Sequence, residues 1–177
     1  SFVDEFRSTP GIARAVGLTE EYQADATNEV ELRNTPLEVQ GLTGSLDGVV
    51  YDDLTEYYAG GAKSFETILT APNTIILSAG YAEFMDLKVG DVVRVRGEGK
   101  DHVVNMRVVG LIERMAGFEG FSRDESQVRW GGTTGFVSLD TYLRLTHDPI
   151  SGEICAYGVC SPDERERPVI ASILATT

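Results

Sequence analysis

Residues 75–112 read IILSAGYAEFMDLKVGDVVRVRGEGKDHVVNMRVVGLI, in which a strand, a short helix, a tight turn and two further strands follow in direct succession. Ile75, Ile76 and Leu77 form an apolar run of strand length. Ser78 stands where an N-cap oxygen meets the first free amides of a helix. Tyr81, Ala82, Phe84 and Met85 fall at helical spacing, so a helix of about two turns is expected to run to Leu87. Lys88-Val89-Gly90-Asp91 is turn chemistry, because glycine tolerates positive φ and the aspartate carboxylate bonds nearby amides. Val93 and Val95 then alternate with Arg94 and Arg96, the pattern of a half-buried strand. Gly97, Glu98, Gly99, Lys100 and Asp101 make a hairpin loop. The return strand carries Val104, Met106 and Val108 inward and Asn105 and Arg107 outward, and Gly110 marks a bulge before Leu111 and Ile112.

Upstream, Val30 and Leu32 alternate with Glu29, Glu31 and Arg33, and Leu37 and Val39 alternate with Glu38 and Gln40. With a turn at Arg33-Asn34-Thr35-Pro36, this predicts a hairpin from Asn28 to Leu42 with one charged face. Ile12 to Leu18 is a further strand, extended towards Tyr22. Residues 43–72 carry Gly44, Gly48, Gly60, Gly61 and Pro72 and read as a loop-rich crossover, with a helical turn over Asp53 to Tyr58.

Downstream, residues 115–135 form a long loop. Phe136-Val137 resumes a strand, and Ser138 caps a helix that carries Leu139, Tyr142, Leu143 and Leu145 and ends near His147-Asp148-Pro149. Glu153 to Cys160 is expected to be the last strand. Ser161-Pro162-Asp163-Glu164 opens a final helix, kinked or restarted at Pro168 before Val169, Ile170, Ile173 and Leu174.

The chain of 177 residues suffices for one domain with a sizeable core or for two small lobes, and its 42% hydrophobic and 24% charged content is that of a folded protein. The net charge of −13 is uneven: residues 1–60 hold 12 acidic and 3 basic side chains, a net of −9. Nucleic acid and anionic lipid headgroups are therefore poor partners for the first third. No window reaches the ~18 apolar residues of a membrane span, and no signal sequence opens the chain. Ser1 to Phe6 looks like the interior of a helix cut from a longer protein.

Few residues carry chemistry. Gly97-Glu98-Gly99 joins strand to strand and has no helix N-terminus to bind an anion. His102 and His147 are isolated from other ligand types. Asp47, Asp52 and Asp53 match no calcium loop spacing, and Asp124 and Glu125 lack the apolar pocket of an acid–base pair. No G-x-S-x-G occurs. In an unbroken strand Cys155 and Cys160 face opposite sides, so two free thiols are expected, a bridge requiring a bend near Gly158. Catalytic, cofactor and metal residues are thus not expected, and the chain reads as a non-enzyme. Trp130, flanked by Gly131 and Gly132, and Phe118 and Phe121 in the same loop are the candidate partner contacts.

The stretch IILSAGYAEFMDLKVGDVVRVR followed by NMRVVGLIERMAGF resembles the periplasmic or extracellular core domain of MacB/FtsX/LolE-type ABC transporter permeases. GFVSLDTYLRL, ICAYGVC and SPDERERPVIASIL resemble the tail of that domain, and VELRNTPLEVQGL its opening hairpin. The resemblance implies an α+β, two-lobed domain spanning 1–177. One lobe is mixed α/β and built from both chain ends, 1–70 with 136–177; the other, 71–135, is a mostly β insertion. It further implies a place on the extracytoplasmic side of the cell membrane, with a cognate ATP-binding subunit or domain as partner. Outside, it implies an external partner protein or a lipid or peptide substrate, with room for two copies to pair in the full transporter. The segment DLKVGDVVRV also resembles the small cofactor-binding β-barrels of molybdopterin-type oxidoreductases, which is the alternative reading.

Overall fold

The computed structural model describes residues 2–46, 56–59, 64–97, 103–114, 133–146, 153–156, 159–162 and 170–176. The strands are β1 (Arg14–Thr19), β2 (Tyr22–Asn28), β3 (Arg33–Leu42), β4 (Glu56–Ala59), β5 (Thr74–Ser78), β6 (Val92–Arg96), β7 (Val103–Arg114), β8 (Thr134–Ser138), β9 (Glu153–Ala156), β10 (Val159–Pro162) and β11 (Ile170–Thr176). Among the described residues four short helices accompany them: α1 (Phe2–Arg7), α2 (Ser64–Thr70), α3 (Ala79–Phe84) and α4 (Leu139–Thr146).

Six strands close into a ring. β3 pairs with β2, β2 with β6, β6 with β7, β7 with β5, β5 with β8, and β8 returns to β3. The β5–β7 and β3–β8 pairs are parallel and the rest antiparallel, so the barrel is mixed. Outside the ring, β1 joins β3 at Leu18 opposite Leu42 and holds β11 along its other edge, while β4 pairs with β7. Strands from residues 1–70, 71–135 and 136–177 all take part in this one barrel, an α+β architecture dominated by strands.

The alternation of each strand explains two separate cores. One face of every barrel strand supplies a single cluster: Ala24 and Ala26, Leu37 and Val39, Ile75 and Leu77, Val93 and Val95, Met106 and Val108, and Val137. Side chains of a small closed barrel fill its interior in this way. Tyr81 of α3, Met85 just after it and Leu145 of α4 join the same cluster. The opposite face of the ring contributes Leu42, Ile76, Ile112 and Phe136 to a second cluster with Val16 and Leu18 of β1 and Phe65 and Ile68 of α2. β5 is covered on both faces, which is why it reads IIL without a polar break.

The expected succession over 75–112 is present with adjustments. α3 begins after Ser78, but the serine side chain makes no cap bond, and the helix ends at Phe84. It stops there because Asp86 turns left-handed, with φ 54. The Leu87 amide then donates to the Ala82 carbonyl and the Asp86 amide to that of Glu83, a Schellman ending that satisfies the last carbonyls. Gly90 has φ +99, and the Asp91 carboxylate accepts from the Lys88 amide at 2.8 Å, as the turn chemistry requires. Parallel pairing of β5 with β7 steps from Val108 to Gly110, placing the bulge at Val109, one residue before the glycine that signals it. Val104 is only half-buried, while Met106 and Val108 are fully inside.

Elsewhere the structure differs from expectation. Residues 33–36 are strand, because the hairpin turns at 29–32 instead. Pro36 is tolerated in β3 because pairing with β8 begins only at Glu38, so one side of the strand has no described neighbour there. Tyr57 and Tyr58 lie in β4, not in a helical turn. Glu153 to Cys160 falls in two strands, Glu153–Ala156 and Val159–Pro162, paired antiparallel; Ser161-Pro162 ends β10, and the residues 163–169 expected to be helical lie outside the described residues. Ile170, Ile173 and Leu174 lie in β11, where the free edge of β1 imposes strand geometry on a segment whose spacing also fits a helix. Among the described residues no helix is long and apolar enough to cross a membrane.

Gly41 sits where the ring closes, and a Cβ there would lie 2.7 Å from Tyr142 Cβ and 3.0 Å from the Thr19 methyl. Both neighbours are short of freedom, one on a helix and one on a strand. Gly41→Ala is expected to destabilise by about 1–3 kcal/mol, read as a lower denaturant midpoint; an unchanged midpoint contradicts this packing.

At the start of the same hairpin Glu21 shares a proton with Glu38. That hydrogen bond, with burial and the adjacent negative charge, pushes the Glu21 carboxyl up to about 7. Because Glu21 itself is exposed, the shared proton leads and burial follows. The folded state thus binds the extra proton, and this stabilisation is complete below the ordinary value of 4.5 and lost as pH rises through about 7. Melting temperature should therefore fall between about pH 5 and about pH 8, and Glu21→Gln should flatten that part of the profile.

Candidate functional site

The β2–β3 hairpin ends in Glu29-Val30-Glu31-Leu32, and its two apolar residues are the most exposed large hydrophobics among the described residues, each 86% accessible. Leu32 is left-handed with φ 53, an unusual conformation for a branched residue. The turn holds it because Asn28, 4% exposed at the end of β2, fixes both sides. Its Oδ1 accepts from the amides of Val30 at 3.1 Å and Glu31 at 3.4 Å, an Asx-type turn. Its Nδ2 donates to the carbonyls of Met85 at 2.9 Å and Asp86 at 3.3 Å, tying the hairpin to the end of α3.

Further bonds stiffen the junction. The Arg33 guanidinium donates to the Phe84 carbonyl, Asn34 Nδ2 donates across the hairpin to Thr27 Oγ1 at 2.7 Å, and Arg94 pairs with Glu29 at 3.0 Å. The last pair is exposed and contributes only about 0–1 kcal/mol. Phe84 leaves its ring 58% accessible on the α3 end that the hairpin grips. A lone exposed apolar side chain is ordinary. Two at a turn whose backbone is fixed, with a third beside it, form a contact surface that needs little ordering on binding. Exposed Glu31, Glu83 and Asp86 adjoin these residues in the sequence, together with exposed Arg33 and with Glu29, which is paired to Arg94.

Among the described residues a depression of about 410 Å³ between α2, β6 and β7 is open rather than a catalytic assembly, and it is lined by Thr67, Asn73, Val92, Asn105, Arg107 and Val109, among others. Arg107 is its one charged side chain, and its guanidinium donates to the Gly90 carbonyl at 3.1 Å. Among the described residues no three His, Cys, Asp or Glu side chains gather as a metal site would require. Burial pushes the Tyr81 hydroxyl well above its usual range, so it titrates at no ordinary pH; it donates to the Thr35 carbonyl at 3.3 Å.

Phe118, Phe121 and Trp130 lie outside the described residues, as do His102, His147, Asp47, Asp52, Asp53, Asp124 and Glu125. The residues that sequence reasoning missed are Val30 and Leu32, which it placed on the inner face of a strand. Asn28, a residue whose carboxamide opens turns, was the signal for a turn four residues earlier.

Supporting and presenting residues of the tip should separate by mutation. Asn28→Ala leaves the Met85 carbonyl without its donor and is expected to cost about 1–3 kcal/mol. Val30→Ser with Leu32→Ser should stay within about 0.5 kcal/mol of the parent. Chemical denaturation of the three proteins checks both, and a large loss in the double variant means the tip is packed.

The sequence matches no protein-family model, and no curated protein matches it in sequence. The fold does have solved counterparts. The extracellular domain of the noncanonic ABC-type transporter YknZ from Gram-positive bacteria aligns with TM-score 0.54 at 14% identity, over 80% of this chain and 62% of that one. The periplasmic region of MacB from Actinobacillus actinomycetemcomitans aligns with TM-score 0.53 at 10% identity, over 80% of this chain and 55% of that one. The chain thus spans less than two thirds of either counterpart, and what it shares with them is the fold of the extracytoplasmic domains of MacB-like ABC transporter permeases.

Proposed function

We propose that this chain is a non-catalytic extracytoplasmic domain of an ABC transporter permease, coupling ATP-driven motion of a membrane part to an external partner or substrate. The observation that supports it is the fold shared with the YknZ and MacB domains over 80% of the chain. The ATP-binding subunit or domain acts through the membrane part, and the barrel transmits the motion as a packed body with two cores. The outer contact is the hairpin tip. Its apolar side chains have the carboxylates of Glu31, Glu83 and Asp86 as sequence neighbours, beside Glu29 paired to Arg94, and suit a partner protein whose apolar face is flanked by lysine or arginine. Phe118, Phe121 and Trp130 are a second contact surface in this reading, on the strength of their residue types alone.

The closed six-stranded ring also favours the alternative, a cofactor-binding barrel of a larger oxidoreductase. One experiment separates the two. In the full protein, with Cys155 and Cys160 replaced by serine, Val30→Cys should react with a bulky membrane-impermeant maleimide in intact cells, and the labelled transporter should lose activity. Labelling only after lysis overturns the location, and normal transport by labelled cells overturns the tip contact. A parent protein without membrane spans and with flavin or molybdopterin absorbance establishes the oxidoreductase instead.

A further inference from the structure

We propose that Cys155 and Cys160 form a disulfide across the β9–β10 hairpin. The sequence argues against a bridge only while residues 153–160 are one strand. In the structure they are two, in antiparallel register with Ala156 opposite Val159, Cys155 opposite Cys160, Ile154 opposite Ser161 and Glu153 opposite Pro162. Only Tyr157 and Gly158 separate the strands.

The pair flanking a two-residue connection exchanges both of its backbone hydrogen bonds, so strict alternation makes the next pair, Cys155 and Cys160, a non-hydrogen-bonded one. Directly opposite residues of that kind have Cα atoms about 4.5 Å apart, within the roughly 4.4–6.8 Å that disulfides span. The wider hydrogen-bonded spacing of about 5.5 Å lies in the same range, so the conclusion holds for either parity. Neighbouring register positions do not share this property. Ile154 and Cys160 are diagonal, and a bridge between them requires the strands to slip.

A second observation concerns what the bridge stabilises. Among the described strands β9 and β10 pair only with each other, apart from the main sheet. An isolated two-stranded hairpin is marginal in water, and a covalent link one pair from the turn removes from the unfolded ensemble the conformations in which residues 155 and 160 separate.

The chemistry needs an oxidant, and a small-molecule disulfide such as glutathione disulfide supplies it. One cysteine thiolate attacks that disulfide and releases one glutathione thiol; the second cysteine displaces the other. Two S–H bonds and one S–S bond are lost, and one S–S bond and two S–H bonds form, so electrons and protons balance. The extracytoplasmic location proposed above supplies an oxidising compartment in which such bonds persist, but the register carries the inference without it.

The test is oxidation of the purified folded chain by glutathione disulfide, read by intact mass and by peptide mapping under non-reducing conditions. The expected product has lost the mass of two hydrogens and links the peptides containing Cys155 and Cys160. It should form at an at least tenfold lower ratio of oxidised to reduced glutathione than in the denatured chain. The variant combining Ile154→Cys with Cys155→Ser keeps two cysteines but moves one off register, and it should show no preference of the folded over the denatured chain. Glutathione adducts on both native cysteines, linked dimers, two unreacted thiols, or equal behaviour of the off-register variant would each overturn the proposal. Because this oxidation is done in solution, its outcome is independent of the cell-labelling result that tests the location.

Discussion

The parallel pairing of residues 38–42 with 134–138 is the constraint on which the rest depends. Without it the six strands are an open sheet with apolar side chains on both faces and nothing to define an inside. With it, one alternating set of residues from every strand meets in the barrel, and outer-face residues of β3, β5, β7 and β8 become a platform for β1, α2 and their neighbours. The seam is close: the Glu38 amide donates to the Thr133 carbonyl at 2.7 Å, and both strands carry glycine beside it. Gly41 lets α4 lie on β3, and a Cβ at Gly135 would stand 2.8 Å from the Ile75 side chain. Glycine in strands ordinarily weakens them, and here it marks where backbone must approach a neighbour.

That closed body explains where contact surfaces can arise. Many barrel positions are committed to one of two cores, and the most exposed apolar groups among the described residues, Val30 and Leu32, stand on a connection that extends beyond the ring. The β2–β3 turn is such a connection. It is ordered by Asn28 from within and gripped by the end of α3, which is itself fixed by the left-handed Asp86. A surface held in this way can receive a push or a partner without rearranging, as suits a domain whose proposed role is to transmit motion. Exposed ion pairs such as Arg94–Glu29 and Arg144–Asp140 add orientation rather than stability.

The strands of the opening stretch were legible because their alternation is local and unambiguous: Val93 and Val95 against Arg94 and Arg96 admit one reading. The helix after Ser78 was legible in position but not in length, since its end depends on Asp86 adopting a conformation that sequence rarely signals for aspartate. The first hairpin was displaced because Val30 and Leu32 continue the alternation of a strand into what is a turn. The tail was misread for a different reason. Ile170, Ile173 and Leu174 satisfy helical spacing, but an unpaired edge of β1 was waiting, and backbone hydrogen bonding to an edge outweighs so short a periodicity.

By itself the sequence determined several local units: which residues of 93–96 alternate, where Gly90 and Asp91 turn the chain, and that Ser138 starts a helix. It also carried enough of the order of elements to suggest a permease-type external domain. Only the tertiary structure decided that the strands close into a barrel, which of two strand partners each edge takes, that Val30 and Leu32 stand out in solvent, and that residues 155 and 160 are partners in the β9–β10 register. The physical reason is that alternation fixes which side of a strand is apolar but not what covers it. Pairing between residues nearly a hundred positions apart is chosen by the packing of the whole ring.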